Sequence, residues 1–154
     1  MKNSQIVKTV MDHLESDDPE RARKFLAPDF HFEGSVTRPL NLDQMLEIVT
    51  AIMKAFPDWS MQFSLLHEDG EVVRGMVEPQ GTHTGDDLRL PGIAPIPATG
   101  ISVILARTPI QFLVREGKIT QIRLEAGSSA GIPAILEQLG LEPEAILPQL
   151  LEEE

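Results

Sequence analysis

The sequence predicts an α+β domain, and three observations carry that prediction. Up to Pro57, apolar residues recur with the 3.6-residue spacing of amphipathic helices. From Trp59 onward, apolar and polar residues alternate, as in strands with one buried face. The predicted strands therefore follow the helices instead of alternating with them, which is typical of an α+β fold and not of a wound parallel sheet.

The N-terminal part contains three amphipathic segments, which predict helices over residues 4–16, 19–27 and 42–56. Asp18 can cap the second helix, with Pro19 at its first helical position. Asn41 or Asp43 can cap the third. Between the second and third helices, alternation over 29–34 predicts a short early strand.

The remainder of the chain predicts a meander of antiparallel strands followed by one helix. The expected strands cover residues 59–65, 71–78, 101–114 with a break at Thr108 and Pro109, and 119–126, and the last helix covers 131–139. Residues 79–100 contain eight glycines and prolines, which predicts a loop or a strand end followed by a long loop. Because no repeat or linker is visible, we expect a single domain over 1–154, with its core at about 5–140 and an acidic extension over 141–154.

Composition excludes several classes of protein. The chain has 154 residues and a net charge of −11, which opposes binding to nucleic acids and to anionic membranes. Residues 124–154 hold seven acidic residues and no basic one, as expected of a solvated end. There is no cysteine, and so neither a disulfide nor a thiolate zinc site can form. With no apolar run long enough for a membrane span and no signal peptide predicted at the N-terminus, a cytoplasmic location is expected.

Five short motifs occur in an order that is familiar from one family. They are FLAPDF at 25–30, AFPD at 55–58, GTHTG at 81–85, PATG at 97–100 and REGKI at 115–119. Together they resemble the SnoaL-like polyketide cyclase family, within the superfamily named after nuclear transport factor 2. The resemblance covers roughly residues 5–140.

The resemblance implies a cystatin-like cone, in which a strongly curved antiparallel sheet is closed by the N-terminal helices around a pocket. It also implies a homodimer formed through the outer face of the sheet. Residues 101–106 are apolar on both strand faces, which favours a covered outer face and an interface of more than ~1,000 Å². Family members include cyclases that close a polyketide ester by an intramolecular aldol reaction without a cofactor. Relatives include isomerases, dehydratases, epoxide hydrolases and binding proteins, so the fold alone does not fix the chemistry.

The chain departs from the family at the positions that usually carry proton transfer. An ungapped alignment places Leu124 at the position of the cyclases' aspartate and Ile110 near that of the assisting histidine. The aspartate base of the steroid isomerase relatives falls at Gly34. The usual acidic and histidine side chains are thus replaced by residues that cannot transfer a proton.

Four other residues are candidates for acid/base catalysis. Glu125 lies one residue from the aspartate position and would turn inward at a single β-bulge; otherwise it is a solvated strand end. Glu33 and His31 share one strand face and could act as a couple, unless that strand buries its phenylalanines and leaves both in water. His83 could donate to a substrate carbonyl at the pocket mouth, or its ring could tie down the following loop.

Several apolar residues could line a pocket or belong to an ordinary core. The predicted substrate-pocket residues are Phe56, Trp59, Phe63, Met76, Ile110 and Leu124. Residues 86–99 form a loop with four aliphatic side chains, which must lie against the pocket mouth, a partner subunit or a ligand. The four histidines are scattered without ligand spacing, so no metal site is expected.

Three functions remain open. The first is a SnoaL-like enzyme that performs acid/base chemistry on an apolar carbonyl or ester substrate without a cofactor. The second is a non-catalytic domain that binds an apolar small molecule or another protein on the same scaffold. The third is an isomerase or hydrolase with relocated acidic residues, which rests on Glu33 and Glu125.

Overall fold

A computed structural model describes residues 1–34, 39–90, 94–125 and 132–141 of the chain. The helical elements are α1 (Asn3–Leu14), a 3-10 helix (Pro19–Phe25), α2 (Leu42–Ala55) and α3 (Ile132–Gln138). The strands are β1 (Leu26–Glu33), β2 (Leu40–Asn41), β3 (Ser64–Asp69), β4 (Val72–Val77), β5 (Gln80–Thr82), β6 (Ser102–Ile104), β7 (Thr108–Arg115) and β8 (Lys118–Leu124). The predicted α+β class is confirmed.

The strands form a six-stranded sheet with the order β2-β1-β8-β7-β4-β3 and a two-stranded sheet of β5 and β6. Neighbouring strands of the larger sheet run antiparallel except β1 and β8, which run parallel. The sheet is thus mixed, a detail that local alternation in the sequence could not show. The β1–β8 register shifts between Leu26 and His31, so Pro28, which has no N–H to donate, lies where the ladder is interrupted.

The two long helices form because of an apolar stripe in α1 and an N-terminal cap in α2. In α1, Ile6, Val7, Val10, Met11 and Leu14 are buried, which is the predicted apolar stripe. Helix α2 begins with a reciprocal cap, in which the side chain of Asn41 accepts from the Gln44 N–H at 2.9 Å and the Gln44 side chain accepts from the Asn41 N–H at 2.8 Å.

Alternation on the central strands separates a helix-covered face from an outer face. On β7, the buried residues are Thr108, Ile110, Phe112 and Val114, whereas Gln111 and Leu113 between them are only half-buried. Their β8 neighbours Ile122 and Leu124 are buried on the same side. The core therefore lies between this face and the helices.

Three predicted elements differ in detail. The segment after Asp18 forms a 3-10 helix that ends at Phe25, without a side-chain cap bond from Asp18. The strand expected from Trp59 begins only at Ser64, because Gln62 has a φ of 47° and so cannot continue an extended strand. In the glycine- and proline-rich stretch, residues 80–82 form β5.

The strand expected over 101–114 is two strands in two different sheets. β6 pairs with β5, whereas β7 pairs with β4 and β8, and the change of sheet falls between Ile104 and Thr108. On β6, Val103 is buried and Ile104 is 65% exposed. The homodimer expected through the outer face stays a prediction. None of the helices in the described part of the chain is long and apolar enough to cross a membrane.

Candidate functional site

A cavity of about 90 Å³ lies between the helices and the covered face of the larger sheet. Seventeen of the described residues line it, and sixteen of these are apolar. The lining residues are Met11, Leu14, Glu15, Phe32, Leu40, Met45, Ile48, Val49, Ile52, Trp59, Met61, Pro79, Ile110, Ile122, Leu124, Ile132 and Ile135. Helices α1, α2 and α3 thus contribute to the wall, together with strands β1, β2, β7 and β8.

The floor of the cavity is built from strand pairs. Ile110 of β7 lies opposite Leu124 of β8, and Phe32 of β1 lies beside Ile122. Because paired residues project to the same face, all four side chains reach the cavity together. The two positions that the family alignment singled out, Ile110 and Leu124, are therefore neighbours that give the floor an aliphatic surface.

Glu15 is the one charged side chain among the described residues that line the cavity. It follows the last residue of α1 and occupies the cap position of that helix. Its Oε1 accepts a hydrogen bond from the backbone N–H of Met61 at 2.6 Å. The bond joins the end of α1 to the irregular segment between α2 and β3.

The other end of that segment is held by a second carboxylate. Asp58 Oδ1 accepts from the backbone N–H of Thr82 at 2.7 Å, and this bond lowers the pKa of Asp58. Between the two anchors, Ser60 exchanges two backbone bonds with Gln80, both at 2.9 Å. Trp59 and Met61 are thereby fixed in the cavity wall.

Glu33 and His31 do not reach the cavity. They alternate with Phe32 on β1 and pair with Arg123 and Gln121 on the opposite face of the sheet. Arg123 Nη2 lies 3.1 Å from Glu33 Oε2, and the Gln121 amide donates to the same carboxylate. The alternative in which Phe30 and Phe32 turn inward is the observed arrangement.

Glu125 is exposed just beyond the end of β8, and the cavity is lined instead by its neighbour Leu124. The bulge that would turn Glu125 inward is not found at this end of the strand. The β7–β8 register shifts only between Leu113 and Val114, near the other end. The Glu125 N–H donates to the carbonyl of Pro109 at 3.1 Å, which continues the ladder.

His83 is fully buried but is not among the residues that line the cavity. Its Nδ1 accepts from the backbone N–H of Thr99 at 3.3 Å and lies 3.1 Å from the Thr99 hydroxyl, which places the ring proton on Nε2. The ring stacks on Phe56 at 5.0 Å between centroids. Within the described residues, Nε2 has no hydrogen-bond partner. His83 ties down the loop that follows it.

Of the other predicted pocket residues, only Trp59 lines the cavity. Trp59 lines the cavity, whereas Phe56 lies behind it, with ring centroids 5.4 Å apart. Phe63 is half-buried and packs edge-on against Phe112 of the core, with ring centroids 5.6 Å apart. Met76 lies on β4 between the buried residues Gly75 and Val77 and so faces the outer side of the sheet. In the parts of the chain that the structure describes, no group of three potential ligands could hold a metal ion.

Glu15 is the residue that the sequence analysis missed. It falls four residues after Met11 and eight after Val7, which places it on the apolar side of α1. Both of those residues are buried. The available signal was an acidic residue that continues the apolar stripe at the end of the helix. Helix periodicity uses only the apolar residues of the stripe, and so it does not single out Glu15.

Comparison with protein families gives one match. The model of the SnoaL-like polyketide cyclase family matches residues 4–126. No curated protein sequence matches the chain.

Solved structures share the fold at low sequence identity. A candidate polyketide cyclase from Pseudomonas putida superposes with a TM-score of 0.66 at 15% identity, covering 90% of this chain and 98% of that one. AclR, a candidate hydroxylase from Streptomyces galilaeus, gives 0.65 at 18% identity, with coverage of 90% and 80%. IdmH, a candidate polyketide cyclase from Streptomyces antibioticus, gives 0.62 at 20% identity, with coverage of 92% and 100%. At these identities the likeness establishes the fold alone.

Proposed function

The chain belongs to the SnoaL-like polyketide cyclase family, and we propose that it binds a small apolar carbonyl compound in its cavity and converts it by cofactor-free acid/base chemistry. The observation that carries the proposal is the lining, which among the described residues consists of sixteen apolar side chains and the carboxylate-bearing Glu15. Such a site binds its ligand by burying apolar surface and orients it with very few polar contacts.

The size of the cavity restricts the ligand. A volume of about 90 Å³ is well below the ~300–1,000 Å³ of pockets that hold drug-sized molecules. We therefore expect a compound with one small ring, or a larger one that displaces α3. That helix contributes Ile132 and Ile135 to the wall, and the Gln138 amide binds the backbone of Ile104 on β6 through two bonds of 2.7 and 2.8 Å.

A non-catalytic ligand-binding domain is the second candidate. It is favoured by Ile110 and Leu124, which occupy the positions where the family alignment expects a proton-transferring pair. With an aliphatic floor, the site still binds apolar ligands but lacks the family's usual acid and base. Binding and turnover therefore have to be measured separately.

Filling the cavity should abolish ligand binding. We expect cyclohexanone or acetophenone, at about 100 times its Kd, to raise the Tm of the wild-type protein by about 5–10 °C. Ile110→Phe places an aromatic ring in the floor and should reduce this shift to less than about 1 °C. The measurement is thermal unfolding with each ketone, with product formation followed by mass spectrometry in the same samples.

Leu113→Phe is the matched control, because Leu113 lies on the outer face of the same strand and should keep the full shift. Ile48→Phe fills the cavity from α2 and is the second cavity variant, to be used if Ile110→Phe does not fold. Binding with turnover supports the enzyme, and binding without turnover supports the second candidate. An equal shift in wild type and in both cavity variants would contradict the proposed site.

A further inference from the structure

Glu15 occupies a position that helix stability does not explain. It caps the C-terminal end of α1, where the helix dipole is negative and a carboxylate is less favourable than a cation. None of the ion pairs found in the described part of the chain includes it. Its bond to the Met61 N–H is the hydrogen bond found for this carboxylate in the described part of the chain.

The hydrogen bond from Met61 orients the carboxylate of Glu15 and occupies only one of its two oxygens. Oε1 accepts the backbone N–H of Met61 at 2.6 Å, a short charge-assisted bond. Oε2 retains its lone pairs for another partner. Leu14, Glu15 and Met61 all line the cavity, so a ligand that fills the cavity contacts Glu15.

The apolar wall makes this carboxylate suitable for proton abstraction. A ligand that fills the cavity displaces water, so a bound carbon acid is presented to the carboxylate without solvent between them. Neither Ile110 nor Leu124 on the floor can transfer a proton. Glu33, Glu125, His31 and His83 all lie away from the lining.

We propose that Glu15 is the catalytic base of the cavity. The inference rests on the proposed function, because it requires that the substrate binds here. Glu15 removes a proton from the carbon next to the substrate carbonyl: the C–H bond breaks, the proton moves to the carboxylate, and the electron pair forms an enolate. In a cyclisation, the enolate carbon attacks a second carbonyl of the same molecule, a C–C bond forms, and the resulting alkoxide takes the proton back from Glu15. The step is redox-neutral and needs no further reactant.

The test uses 5-nitrobenzisoxazole, a neutral aromatic probe for a carboxylate base. Removal of its ring proton breaks the N–O bond and releases 2-cyano-4-nitrophenolate, which is followed by its absorbance. We expect the wild-type protein to be faster than the same concentration of acetate. We expect Glu15→Gln to lose about 100-fold or more of the rate, the usual contribution of a positioned base.

Two further variants separate catalysis from structure. Glu15→Gln keeps a side-chain oxygen that can accept the Met61 N–H, so its Tm should stay close to that of the wild type, whereas Glu15→Ala loses both the bond and the base. Glu47→Gln removes an exposed carboxylate of α2 and should keep the full rate.

The outcomes also separate this inference from the proposed function. If the probe and the ketones fail to shift the Tm of the wild type, the proposed function fails and this inference with it. If they bind, but the wild type is no faster than acetate or Glu15→Gln keeps its rate within about threefold, only the role of Glu15 is overturned. A rate loss confined to the Glu15 variants, with ketone binding retained in Glu15→Gln, supports it.

Discussion

Replacing Phe112 by alanine should lower the free energy of unfolding by about 3–5 kcal/mol, the usual cost of removing a fully buried aromatic ring. Phe112 is 0% exposed at the centre of β7, and its ring packs edge-on against Phe63 at 5.6 Å. It is paired with Val73 on one side and with Ile122 on the other. A cavity in this central strand has rigid neighbours on both sides and cannot easily collapse.

Leu113→Ala is the matched control for that substitution. Leu113 is the next residue of β7 but lies half-buried on the outer face, so its removal should cost about 1 kcal/mol. Both values are measured by urea unfolding followed by circular dichroism. Equal losses in the two variants would show that the inner face of β7 is not the centre of the core.

Gly34→Ala should destabilise the protein by about 3 kcal/mol or more, since backbone strain of about 1–3 kcal/mol adds to the cost of a steric overlap. Gly34 has a φ of 95°, and a Cβ built there would lie 2.2 Å from the carbonyl oxygen of Leu124. That atom belongs to the backbone of β8 and cannot move aside without shifting the strand. The position where the steroid isomerase relatives carry an aspartate therefore has no room for any side chain.

Gly117→Ala separates the contribution of backbone strain from that of steric overlap. Gly117 also has a positive φ, 79°, but a Cβ there would meet no atom within 4 Å. Its substitution should cost only about 1–2 kcal/mol, from backbone strain alone. Thermal and urea unfolding of both variants provide the comparison, and a Gly34 variant as stable as the Gly117 variant would be evidence against the close contact with Leu124.

The helices and the fold class could be predicted because their determinants are local. The spacing of Ile6, Val10 and Leu14 determines the apolar stripe of α1, and Asn41 and Gln44 form the cap of α2. The parallel pairing of β1 with β8 could not be predicted, because it joins residues that are far apart in the sequence, such as His31 and Gln121. The late start of β3 escaped prediction for a related reason: Gln62 adopts a φ of 47° in a segment held by a distant carboxylate, Glu15.

The candidate site was predictable only in its apolar part. Trp59, Ile110 and Leu124 were expected in the pocket and do line the cavity. Strand alternation fixes the face of Ile110 and Leu124, whereas Trp59 lies in the irregular segment before β3. The predictions for Glu125, Glu33 and His31 rest on family positions and strand neighbours, and that for His83 rests on the GTHTG motif; the structure places all four away from the lining. Glu15 lies on a helix, and its approach to Met61 depends on tertiary packing that no sequence spacing encodes.

The most direct test of the account is a methyl NMR titration of the wild-type protein with acetophenone. The central claim is that the aliphatic cavity between the helices and the sheet is the ligand site. It predicts that the largest chemical-shift changes occur at the methyl groups of Ile110, Ile122 and Leu124, which line the cavity. Leu113 on the outer face and the exposed Ile104 should change little. The largest changes at Leu113 or Ile104, with the cavity methyl groups unchanged at saturation, would contradict the claim.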